Sequence, residues 1–140
     1  MAINGIKQMW EFLDTHTLTA DGRERAVNHL NEWGGFSRTL KMPVFTAWSD
    51  HSKYDKATKM TKAIVCDASW VSAVGVNNQE RWLSYAEKNN NSIAAFFVIH
   101  AVDTNASPRQ VKSIDVGRAF IGKIVRDGTL TYTLGQPKNI

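Results

Sequence analysis

Two histidines, His51 and His100, and three aspartates, Asp67, Asp103 and Asp115, are the residues whose type and setting could support catalysis in this chain of 140 residues. Three converging carboxylates would hold a divalent metal and position water for phosphodiester cleavage. Two histidines facing each other across a sheet would serve metal-free acid–base cleavage of RNA. The aspartates stand near predicted strand ends, where such residues ordinarily cap turns. His100 falls in the most apolar stretch and reads as a core residue with its own partner, and His51 as a solvated one; His16 and His29 read as surface. Cys66 closes the apolar run Ala63-Ile64-Val65, the setting of a small buried residue and not of an activated thiol. There is no Gly-x-Ser-x-Gly elbow, no Gly-rich phosphate loop ending in Lys, and no deaminase signature. Gly117 and Gly122 have no helix start behind them. The catalytic candidates are therefore weak, no metal or other cofactor is assigned, and the reading leans away from an enzyme.

Charge and aromatic residues carry more. The formal net charge is +4, and it is unevenly placed. Residues 1–35 carry −2, 36–62 carry +4, 63–108 carry −2 and 109–126 carry +4. Two separated basic segments that meet on one face would draw polyanions. The first holds Arg38, Lys41, Lys53, Lys56, Lys59 and Lys62, and the second Arg109, Lys112 and Arg118 among others. Aromatic side chains beside a cationic groove stack on unpaired or extruded bases. Of the five tryptophans, Trp10 and Trp82 sit on apolar helix faces, and Trp33 closes a helix end. Trp48 and Trp70 instead leave strands into polar sequence, and Tyr54 joins Trp48 in the basic segment. The candidate nucleic-acid contacts are thus Arg38, Lys41, Trp48, His51, Lys53, Tyr54, Lys56, Lys59, Trp70, Arg109, Lys112 and Arg118. The segment 49–62 is expected as an exposed hairpin or loop offering lysines to phosphate oxygens.

The elements that must position these residues follow from periodicity. Ile3, Ile6, Trp10 and Leu13 recur at helical steps and predict a helix over about 3–14. Thr19 or Asp21 caps a second, ended by Gly34-Gly35, so residues 1–35 read as a helical hairpin. Strands are expected at 43–48 and 63–66, with a strand or bend at 71–76 and a helix at 79–88. The strongest strand is 93–102, apolar enough for burial on both faces. Asp127-Gly128 predicts a hairpin between 120–125 and 129–134. The sum is one α+β domain, with residues 36–140 forming a mostly antiparallel, half-closed barrel-like sheet. In the order of its elements it resembles PUA-like domains.

Composition bounds the rest. One cysteine excludes an internal disulfide framework, and the histidines and cysteine offer no zinc-ligand pairs. The longest apolar run, 93–99, is too short for a membrane span, and the start lacks the pattern of a signal peptide, so the expected location is cytoplasmic. The expected function is a nucleic-acid-binding module, for DNA before RNA, reading a modified or flipped base through an aromatic pocket flanked by basic loops. The partner would be nucleic acid, with a protein partner or fused effector domain possible in a modular system and no membrane. The alternatives are an enzyme acting on nucleic acid, and a small inhibitor whose basic loops meet an acidic protein surface.

Overall fold

A computed structural model describes residues 5–28, 32–69, 73–106 and 109–140, with backbone alone for 73–75. The class is α+β. Among the described residues two helices, α1 (Ile6–Phe12) and α2 (Ala73–Asn89), flank ten strands. The strands are β1 (Thr15–Leu18), β2 (Glu24–Ala26), β3 (Gly34–Ser37), β4 (Met42–Trp48), β5 (Ser52–Asp55), β6 (Met60–Asp67), β7 (Ile93–Ala101), β8 (Val111–Ile114), β9 (Arg118–Asp127) and β10 (Leu130–Asn139). They form one sheet in the order β2-β1-β3-β4-β7-β9-β10-β6-β5, and β8 pairs with β7 off that path. Only β4 and β7 run parallel among the described strands.

The N-terminal helical hairpin is not found among the described residues; residues 29–31 of its expected second helix lie outside them. Its first helix is one short element, and the second is replaced by the antiparallel pair β1–β2, with His16 opposite Ala26 and Leu18 opposite Glu24. Thr15 and Thr17 are buried while His16 and Leu18 are half-buried, so this stretch follows the period of a strand. The side chains expected to cap a helix tie a turn instead. The Thr19 hydroxyl donates to Asp21 and accepts the Arg23 amide at 3.0 Å, and Gly22 takes a φ of +86°. The second helix comes later, between β6 and β7, so the PUA-like order of elements is not reproduced. Trp70, Val71 and Ser72 lie outside the described residues; α2 begins at Ala73, inside the segment expected as strand or bend, and is longer than the predicted 79–88.

A corner bends the sheet. Residues 49–51, a single 3-10 turn, join β4 to β5, which lies at the far edge of the hydrogen-bonded order. So short a link spans about 10 Å at most, which forces the sheet to curl until β5 and β6 return towards β4. Ser52 Oγ donates to the Trp48 carbonyl at 3.0 Å across the turn. Phe45 and Ala47 of β4 accordingly pack with Ala63 and Val65 of β6 in one core, sealed by Trp82, Leu83 and Ala86 of α2. Among the described residues no ladder joins β4 to β5 or β6, so the sheet is curled but not closed. Gly122 and Gly135 face each other on β9 and β10, and a Cβ at Gly122 would lie 1.6 Å from the Leu134 carbonyl oxygen. Gly122 therefore serves close strand approach in a coiled ribbon.

A second core lies on the outer face. There Met9, Trp10 and Leu13 of α1 cover Val44, Ala95, Phe97, Ile99 and Ala119. The short α1 reaches β4, β7 and the start of β9. The outer sides of β10, β6 and β5 carry no helix among the described elements.

Candidate nucleic-acid interface

The two basic segments meet where β4 ends. Arg109 donates to both carboxylate oxygens of Asp50, at 2.7 and 2.8 Å. Its guanidinium also lies over the Trp48 ring, 5.2 Å from the centroid. The hydrogen bonds from Arg109 hold the Asp50 carboxyl below its usual range, against desolvation and with help from the charge of His51. His51 Nε2 is 3.7 Å from Asp50, and its Nδ1 is buried with no partner among the described residues. Asp67 belongs to the same corner. Desolvation would raise its carboxyl, but hydrogen bonds from Ser69 and Thr129, with the charge of His51, bring it below the usual range. This junction is electrically closed. Arg109 is committed to Asp50, and Trp48 is half-buried beneath it against the outer core.

The other expected residues scatter. Arg38 and Lys41 sit in the β3–β4 turn, at the opposite end of β4 from Trp48, and Arg38 pairs with Glu24 and lies 3.8 Å from Asp14. Arg118 lies over the Phe120 ring at 4.9 Å. Lys112 is exposed on β8. Tyr54 is 54% exposed at the edge strand. Lys56 and Lys59 form the β5–β6 turn, where Lys59 takes a φ of +59°. Trp70 lies outside the described residues.

The catalytic candidates stay apart. His100, half-exposed and not in the core, bonds Asp115 at 2.8 Å, and His51 faces Asp50, so the two histidines belong to separate pairs. Asp103 accepts the Asn105 amide at 2.9 Å, a turn bond. No group of three His, Cys, Asp or Glu side chains among the described residues is placed to hold a metal ion. Burial, then the charge of Glu80, pushes the Cys66 thiol up to about 12, leaving it a thiol at neutral pH.

A different arrangement lies on the bare outer face. Lys53 is directly opposite Lys62, Lys62 opposite Leu134, and Leu134 opposite Lys123. Residues paired across strands share a face, so the three lysines form one row across β5, β6, β10 and β9, about 14 Å long at the usual strand spacing. All three are exposed, and none has a carboxylate partner among the described residues. Tyr132 is beside them on the same face, with the Lys62 ammonium 4.1 Å from its ring centroid. The half-buried Ile64 and the exposed Val125 flank Tyr132 on the neighbouring strands. Lys62, Lys123 and Tyr132 are absent from the residues named as contacts in the sequence, although Lys62 lies in the basic segment. Their signal was strand alternation, with Lys62 between the buried Thr61 and Ala63, but the pairing that unites the row is long-range.

Comparison of the chain with known protein families, with curated proteins and with solved structures finds no match. No helix among the described residues is long and apolar enough to cross a membrane.

Proposed function

We propose that this chain is a nucleic-acid-binding module without chemistry of its own, and that it holds an unpaired strand across the bare outer face of its sheet. The row Lys53–Lys62–Lys123 carries this reading. Like charges directly opposite one another in a sheet are destabilising, and an edge lysine earns tolerance by blocking edge-to-edge pairing. That explanation serves Lys53 on β5. It does not serve Lys62, directly opposite Lys53 on an interior strand; Lys123, also interior, has Leu134 and Ile93 opposite it and adds its charge to the row from two strands away. A phosphate backbone laid along the row would neutralise all three. Tyr132 would then offer a ring for base stacking, worth about 1–3 kcal/mol. The lysines of the β5–β6 turn extend the same positive surface.

Recognition of a modified or flipped base through Trp48 receives less support, since the Arg109 over its ring is fixed by two hydrogen bonds to Asp50, whereas the Lys62 over Tyr132 has no carboxylate partner among the described residues. DNA before RNA remains the preferred strand, and the test discriminates them. Binding of labelled oligo-dT, oligo-rU and a duplex would be followed by fluorescence anisotropy over a salt series. The expected result is salt-sensitive binding without turnover, strongest for oligo-dT. Absence of binding to any of the three at low salt would overturn the reading, and strand cleavage would replace it with the enzymatic one.

A further inference from the structure

Tyr132 stands between opposite charges on the bare face. Val125 is directly across from it on β9, so Lys123 and Asp127, two residues to either side of Val125, are its diagonal neighbours at about 7–8 Å. Lys62, paired with Leu134, holds the corresponding place on β6, on the same side as Lys123. The ring therefore has two lysines towards one end and a carboxylate towards the other. Two further carboxylates on this face are committed: Asp55 accepts the Ala57 amide at 2.9 Å, and Asp67 is held by Ser69. Asp127 is exposed, and its carboxylate has no hydrogen-bond or ion-pair partner among the described residues. The hairpin does not require it. Gly128 takes a φ of +61° while Thr129 has no positive φ, the pattern of a II′ turn, which asks only for glycine at its first central position.

Resting on the strand-binding reading above, we propose that Tyr132 and Asp127 select a base carrying an exocyclic amine, cytosine foremost. Charge sets the orientation. Phosphates go to Lys62 and Lys123 and are repelled by Asp127, so a base stacked on Tyr132 turns its sugar towards the lysines and its far edge towards Asp127. The Lys62 ammonium lies over the ring with no carboxylate holding it, and moves to phosphate as the base takes its place. A carboxylate only accepts hydrogen bonds. The far edge of cytosine is the N4 amine, which donates; that of thymine or uracil is the O4 carbonyl, which also accepts. The imino N–H of thymine does donate, but it stands between two carbonyls, and a carboxylate reaching it meets both. Asp127 thus pairs with the amine and opposes the carbonyl.

The probes are oligo-dC, oligo-dT and oligo-dU of one length, with an oligo-dC whose N4 amines are dimethylated, compared by fluorescence anisotropy at low salt and neutral pH. Oligo-dC is expected to bind about fivefold tighter than oligo-dT and oligo-dU, the discrimination of one exposed side chain. The dimethylated strand should fall to the level of oligo-dT. Asp127→Asn keeps the side-chain shape, and asparagine is at home beside a turn glycine, so the variant should fold as the native chain does. Its amide both donates and accepts, so the ratio of oligo-dC to oligo-dT affinity should fall to near unity. A carboxylate that merely repels would instead leave that ratio unchanged while every strand bound more tightly. Oligo-dT or oligo-dU as tight as oligo-dC, a dimethylated strand as tight as oligo-dC, or an unchanged ratio in Asp127→Asn would each overturn the proposal and leave the lysine row as a binding surface without base preference. Absence of binding by every strand would overturn the strand-binding reading as well.

Discussion

The corner at the end of β4 and the bare face spanning β5, β6, β10 and β9 are both basic in sequence, yet they differ in how their charge is used. At the corner Arg109 is locked to Asp50 by two hydrogen bonds and covers Trp48. On the bare face Lys53, Lys62 and Lys123 stand in register with no carboxylate partner among the described residues. Arg126 repeats the first pattern, held by Glu80 and Glu87 of α2. Arginine, with its planar fork of donors, is suited to fixing a partner inside the molecule; lysine is a mobile point charge on a flexible stem. A count of basic residues per segment does not separate structural cations from available ones. Pairing does.

Truncating an aromatic in each region should break the comparison most visibly. Trp48→Ala removes a half-buried ring from the outer core and should cost about 2–3 kcal/mol of stability. Nucleic-acid affinity of the folded variant should not change. Tyr132→Ala should weaken binding by about 1–3 kcal/mol, and because its ring is half-buried as well it should also lower the melting temperature. Denaturant titration paired with anisotropy distinguishes the two, and a binding loss in Trp48→Ala with none in Tyr132→Ala would exchange the roles of the regions.

Arg109→Ala should be smaller and confined to stability, about 1 kcal/mol, because the pair is charge-assisted but partly exposed. Its pH dependence supplies the sign. The folded-state value of Asp50 is depressed, so its contribution is present above the unfolded value near about 3.9 and is lost as pH falls through the lower folded value. Urea unfolding between pH 6 and the acid range should therefore show a shallower acid loss in Arg109→Ala than in the native chain. Equal slopes would remove the pair from the account.

The smallest effect concerns the turn. Lys59 occupies the left-handed region, which costs a non-glycine residue about 1 kcal/mol. Lys59→Gly should raise stability by up to about 1 kcal/mol while flattening the salt dependence of binding. A gain in stability with an unchanged salt slope would confine Lys59 to a structural place.

How much of this was legible in the sequence depended on range. β7 and the β9–β10 hairpin could be read locally, from a continuous apolar run and from Asp127-Gly128, whose glycine takes a φ of +61°. The stretch from Thr15 to Ala26 misled because Thr19 and Asp21 serve equally as helix caps and as turn ties. Only the pairing of β1 with β2 and β3 selected the turn. The charge blocks left open whether the two basic segments meet, and did not show that Asp50 would neutralise Arg109. Lys53, Lys62, Lys123 and Tyr132 are scattered in the chain, and nothing short of the β5–β6–β10–β9 register unites them.

Amide chemical-shift mapping with a short oligo-dT strand at low salt tests the central claim most directly. Perturbations centred on Lys53, Lys62, Lys123 and Tyr132, fading as salt is added, are the predicted result. Perturbations centred on Trp48, Asp50 and Arg109, or none on the bare face at saturating strand, would contradict it.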